Sequence, residues 1–141
     1  MNAPVYTTEI LRLAASLPAS SPDFGTADCS AMRRSPTCGS SLTVAVKLDG
    51  EGRIAALSQE VHACAFGQAS AAILAHHAVG RDRGEVAAAH QALADWLAGS
   101  RHDPGDWPGL EALAPARSKT GRHGAILLPF RTLLTALDGA G

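Results

Sequence analysis

What the chain lacks narrows its class before any motif is read. Lysine and arginine total 12 against 13 aspartate and glutamate, a formal net charge of −1. Binding to nucleic acid rests on a basic footprint facing phosphates, and this balance supplies none, so no nucleic-acid partner is expected. No apolar run reaches the roughly 18 residues that cross a bilayer, so no membrane role is expected. The N-terminal residues lack a basic segment leading into a long apolar one, so no secretory signal is expected either. Three cysteines are an odd and small number. They do not make the disulfide framework of a secreted mini-domain, and a reducing cytoplasm is the expected compartment. Aromatic residues are only 4% of the chain, so its helices must pack through small side chains, chiefly alanine. The abundance of alanine, glycine and arginine fits a bacterial source.

What is present is a foldable chain. Hydrophobic residues make up 46% and the mean hydropathy is +0.05, which excludes disorder. The length fits one domain over residues 1–141, with an N-terminal helix and loop over 1–23 and a core over 24–138. Residues 8–15 read as a short helix capped by Thr7 and ending before Pro18. Residues 20–27, with Pro22 and Gly25, read as a loop, and 29–35 as a weak strand. Leu42, Val44, Val46 and Leu48 alternate with Thr43, Ala45 and Lys47, the pattern of a half-buried strand. Asp49-Gly50-Glu51-Gly52 is a hairpin turn, and 53–61 returns as the antiparallel partner.

Helices are expected over 68–79 and 85–97, stopped by Gly80 and Gly99. Residues 100–116 hold Pro104, Pro108 and Pro115 and read as an extended connection around Trp107, with one turn at 110–113. A last helix falls between His123 and Leu137. Pro129 either kinks it or opens it, in which case the helix starts near Leu128. Strands followed by helices indicate α+β: a small, mostly antiparallel three-stranded sheet packed with helices. Arg33-Arg34 and Arg81-Asp82-Arg83 are the only basic groupings and read as solvated surface or a protein contact.

The chemistry lies with two cysteines. Cys38 sits in Pro36-Thr37-Cys38-Gly39, a turn ahead of the first strong strand. Cys64 sits in His62-Ala63-Cys64-Ala65-Phe66-Gly67, where the second strand gives way to a helix. A hairpin brings the start of one strand beside the end of the other, so the two thiols are expected at one end of one sheet. Thiolates are soft ligands and nucleophiles, and the partial positive charge of a helix N-terminus favours a thiolate at Cys64. The alternative is a pair of buried cysteines acting as small apolar residues.

The paired motifs Pro36-Thr37-Cys38-Gly39 and Cys64-Ala65-Phe66-Gly67-Gln68-Ala69-Ser70, with His123 opening the last helix, resemble the IscU/NifU N-terminal-type iron–sulfur cluster assembly scaffolds. The long segment between Ala98 and Arg122 resembles the SufU branch. The resemblance covers most of the chain, from Phe24 to Leu137. It implies a small antiparallel sheet covered by helices, with three cysteines and an aspartate at one end. Cys38 and Cys64 match the first two cysteines. Ser40 falls where the family has its aspartate, and Gly124 where it has its third cysteine, so the ligand set is degenerate.

The remaining donors are Cys38, Cys64 and His123, binding zinc, iron or a transient cluster. His62, Cys29, water or a second chain would supply a fourth ligand. His123 reads equally as a helix-start histidine bonded to the backbone, and His62 as a surface strand histidine. Cys29 reads as packed in the sheet. His76, His77, His90 and His102 form no ligand grouping. Ser40 and Ser41 lack the Gly-x-Ser-x-Gly surroundings of a nucleophile.

Three functions follow. The first is a scaffold-like protein that holds metal or a cluster, or accepts sulfur, and is not an enzyme in the ordinary sense. The second is a regulatory protein that docks to the assembly machinery, a cysteine desulfurase or its partners, without building clusters. The third is a thiol enzyme with Cys64 as nucleophile and His62 or His123 as base. A homodimer completing the ligand set is compatible with the first.

Overall fold

The computed structural model describes residues 7–17, 27–35 and 39–139. The chain opens with α1 (Thr8–Ala15), whose first turn is tied by the Thr7 hydroxyl accepting the Ile10 N–H at 3.1 Å. This is the expected cap. A three-stranded antiparallel sheet follows in the order β1 (Cys29–Arg34), β2 (Ser41–Leu48), β3 (Ile54–His62). The expected hairpin forms with a tight turn. Asp49 Oδ1 accepts the N–H groups of Glu51 and Arg53 at 2.8 and 2.9 Å, and Gly52 sits at φ +79°. The weak β1 signal is real strand, held by pairing along β2 from Cys29↔Val46 to Arg34↔Ser41. Both extremes of the sheet matter below, because Ser41 also pairs with His62 at the end of β3.

The helices α2 (Ala65–His77), α3 (Arg83–Leu97) and α4 (His123–Gly139) complete the fold. α2 begins three residues earlier than its sequence pattern indicated, with Cys64 as N-cap. α3 starts on a capping box: Asp82 Oδ1 accepts the Glu85 N–H, and the Glu85 carboxylate accepts the Asp82 N–H. Such a box satisfies two otherwise orphaned donors at once. Leu42, Val44, Val46, Phe66, Leu74, Leu93 and Phe130 are all fully buried between sheet and helices, and Ile10 joins α1 to the same core.

The last helix runs unbroken from His123 through Pro129, so it does not start near Leu128. Proline in a helix interior removes one N–H and costs about 3 kcal/mol. Here buried side chains tie down neighbouring carbonyls. The Ser70 hydroxyl of α2 donates to Ile126 O at 2.6 Å, a bond between helices, while the Thr132 hydroxyl bonds back to Leu128 O at 2.7 Å within α4 itself. Tertiary packing, invisible to local pattern, thus holds the helix through its proline.

The connection from α3 to α4 is more ordered than one turn. It forms a 3-10 helix over Leu110–Ala116 and another over Thr120–Arg122. Trp107 anchors it. The indole is buried, donates Nε1–H to Ile73 O at 3.2 Å, and meets the Phe130 ring edge to face at 5.3 Å. An aromatic pair of this kind is worth about 0.5–1.5 kcal/mol beyond its burial. The Arg81 guanidinium covers the outer face of the same indole at 5.0 Å.

Candidate functional site

The sheet end defined by Arg34, Ser41 and His62 gathers the sequence motifs. The connection from β1 to β2 is closed by Ser35 N–H donating to Ser40 O at 2.8 Å. Both serines are buried, at 5% and 4% exposure, and Gly39 between them takes φ +71°, a left-handed value that favours glycine. Pro36, Thr37 and Cys38 belong to this connection and lie outside the described residues. On the neighbouring strand the chain passes from His62 through Ala63 to Cys64.

Cys64 has the extended backbone of an N-cap, φ −65° and ψ 172°, and its carbonyl accepts the Gln68 N–H at 2.9 Å. Its thiol makes no capping hydrogen bond, and the side chain is half-buried against the core. The Gln68 side chain fixes the approach by donating Nε2–H to Ala63 O at 2.9 Å.

The first turns of α2 and α4 touch. A Cβ at Gly67 would stand 2.7 Å from the Ala63 Cβ and 3.3 Å from both the Cβ and the carbonyl oxygen of Ala125. A Cβ here would force the Ala63 junction to shift and press on Ala125 of α4. Gly67 lies one turn into α2 from Cys64, and Ala125 lies just inside α4 from His123. Cys64 and His123 therefore open two helices that begin side by side.

His123 is half-buried, with Nε2 3.0 Å from Ala116 O and 3.1 Å from Arg117 O. Two carbonyl acceptors place the proton on Nε2 and leave Nδ1 as the nitrogen with a lone pair. The backbone-bonded reading and the ligand reading are thus compatible, since they use different nitrogens. Among the described residues, no three His, Cys, Asp or Glu side chains converge as a metal-holding group.

The other candidates fall away from this point. Cys29 pairs with Val46 at the far end of the sheet. From Cys29 to Arg34, β1 extends about 16 Å at about 3.3 Å per residue, so Cys29 is not the fourth ligand. Burial, with help from the Asp28 carboxylate, pushes its thiol above the usual cysteine range. His62 is exposed and lies 3.5 Å from Glu60 Oε1. β3 ends at His62, so strand alternation does not carry on to Cys64.

A further set of residues was missed by sequence reading. A cavity of about 390 Å³ adjoins His123 and Gly124, and Arg33, Arg34 and Arg131 line it. The Arg33-Arg34 pair was visible in sequence, but nothing local connects it to Arg131, which arrives on α4.

No family model and no curated protein matches the chain. Solved structures do. The N-terminal part of a nitrogen-fixing NifU-like protein from Brucella abortus aligns with TM-score 0.83 and 28% identity, over 95% of this chain and 92% of that one. A protein described as a possible iron–sulfur cluster assembly scaffold for the SUF system, from Fervidobacterium islandicum, aligns with TM-score 0.81 and 21% identity, over 94% and 96%. The chain thus has the fold of NifU-like and SufU scaffolds along nearly its whole length, as its motifs indicated. No helix among the described residues is long and apolar enough to cross a membrane.

Proposed function

We propose that this chain is a scaffold-like protein of iron–sulfur assembly that takes iron, zinc or a transient cluster as cargo through Cys38, Cys64 and His123, or accepts sulfur on its thiols. The observation that carries this reading is the Gly67–Ala125 contact, which sets the Cys64 and His123 helix starts side by side at the sheet end that also holds the Cys38 connection. The donor types suit the cargo. Two thiolates and an imidazole are a usual zinc set with one position left over, and they also ligate iron in clusters. His123 would offer Nδ1, its ring held by Nε2–H in the carbonyl pair, as outer partners commonly hold a ligating histidine. Ser40 and Gly124 contribute no anionic ligand, so the fourth position falls to the cargo, to water or to a second copy of the chain. A cysteine desulfurase is the expected sulfur-donating partner.

The same two residues favour a second reading, in which the chain docks to that machinery without building clusters. The two readings separate on metal. Zinc or ferrous iron should bind the anaerobic protein with 1:1 stoichiometry, release protons, and weaken as pH falls, because thiols must deprotonate to ligate. Cys38→Ser, Cys64→Ser and His123→Ala should each lower affinity by tenfold or more. Binding that is indifferent to pH and to all three substitutions would remove the metal role and leave the docking protein.

A further inference from the structure

The groove between β1 and α4 is built unlike the rest of the surface. Its floor is apolar, formed by Leu127 and Leu128, both buried. Its walls carry cations. Arg33 pairs across the sheet with Leu42, which is buried under the helices, so Arg33 lies on the helix-facing side. There its Nη1 donates to Thr135 Oγ1 at 3.2 Å. Arg34 alternates to the other side and forms the rim. Arg131 rises from α4 and donates Nε–H to His90 Nε2 at 3.3 Å. Burial and the Arg131 charge lower the His90 pKa, which keeps that ring a neutral acceptor.

Among the described residues, no carboxylate lines the groove. Elsewhere Arg53 and Arg81 face Glu85, Arg83 faces Asp138, and Arg101 faces Asp103. Among the described residues, none of the three groove arginines has an ion-pair partner, and Arg33 and Arg131 each show one side-chain hydrogen bond out of five guanidinium donors. Clustered like charges repel, and a concave wall focuses their field on whatever enters. The Thr120 hydroxyl and the first turn of α4 at Gly124 add polar groups at the inner end. The helix start there carries a partial positive charge of its own.

We infer that this groove binds a small dianionic oxyanion, a phosphate ester or a dicarboxylate, between Arg33 and Arg131. Guanidinium forks match carboxylate and phosphate edges in pairs. Several arginines lining one groove favour a double charge over a single one. The volume of about 390 Å³ leaves room for an organic body on the apolar floor, within the range of small-molecule sites. The groove shares His123 with the proposed donor set but needs neither Cys38 nor Cys64, so anion binding by the metal-free protein tests it separately from the scaffold reading.

The test uses the full chain, free of metal, at constant ionic strength. Inorganic phosphate, glycerol phosphate, succinate and acetate are titrated by calorimetry, with chloride as the balancing ion. Glycerol phosphate or succinate should bind at least tenfold more tightly than acetate, and which of the two is tighter assigns the headgroup. Arg131→Gln and Arg33→Gln should each weaken binding tenfold or more, while Lys47→Gln, at the other end of the sheet, leaves it unchanged. All three side chains are exposed, and a melting curve on each variant checks folding. Dianions that bind no better than acetate, or full binding in the two arginine variants, would overturn the proposal.

Discussion

Replacing Gly67 with alanine tests the contact that sets the candidate site. In an ordinary helix interior this change stabilises, by about 0.5–1 kcal/mol, because alanine loses less backbone freedom on folding. Here the new Cβ would sit 2.7 Å from the Ala63 Cβ and 3.3 Å from two Ala125 atoms. None of these is the end of a flexible side chain, so the Ala63 junction ahead of α2 must shift and α4 must give by a few tenths of an ångström at Ala125. Overpacking of this sort costs about 1–3 kcal/mol. The net expectation is a loss of about 1 kcal/mol and at most about 2.5 kcal/mol, or about 3–8 °C in melting temperature for a chain of this size. Urea unfolding with an unchanged slope would read it directly. Adding Ala63→Gly removes the shortest contact and should return at least half of the loss. If Gly67→Ala alone is as stable as the parent, the close helix approach is not a constraint and the argument fails.

Gly124→Cys should raise zinc affinity at least tenfold, since a thiolate is added beside His123 at the start of α4; competition with a chromogenic chelator measures it. Ser40 is 4% exposed, so Ser40→Asp should destabilise the metal-free protein by about 1–3 kcal/mol through burial of a carboxylate. Zinc should restore that stability if the new group ligates, and melting with and without zinc decides. Cys29 should alkylate more slowly than Cys64 at pH 7.5, because burial and Asp28 raise its thiol pKa and leave less thiolate; mass mapping after a short iodoacetamide pulse reads the ratio. Asp138 is held below the usual carboxylate range by the Arg83 hydrogen bond and charge, and Asp49 by the backbone N–H groups of Arg53 and Glu51. Lowered pKa values contribute stability above the unfolded carboxylate range and lose it as pH falls through the folded values. The melting gap between the parent and Asp138→Asn should therefore be present at neutral pH in low salt and close in acid.

Several features needed only local sequence. The alternation of residues 42–48 defines β2, because a strand with one buried face must repeat every two residues. Asp49 and Gly52 specify the turn, because a carboxylate that accepts backbone N–H groups and a residue free to adopt positive φ are local requirements. Thr7 marks the start of α1 for the same reason. The Cys38 and Cys64 motifs indicated the scaffold fold, and the hairpin alone required the Cys38 connection and the Cys64 junction to share an end of the sheet.

Tertiary structure decided the rest. α4 begins at His123 rather than beyond its proline because Ser70 and the packed core hold it, and those contacts come from distant sequence. Cys29 was removed as a ligand by strand register, which places it at the opposite end. The free nitrogen of His123 is set by the Ala116 and Arg117 carbonyls, which a 3-10 helix turns toward the ring. The arginine groove needed β1 and α4 to lie together: Arg33 and Arg34 alone are surface residues, and only Arg131, nearly a hundred positions later, joins them in one basin that no carboxylate lines among the described residues. Charge composition records how many cations a chain has, and folding decides which of them share one groove.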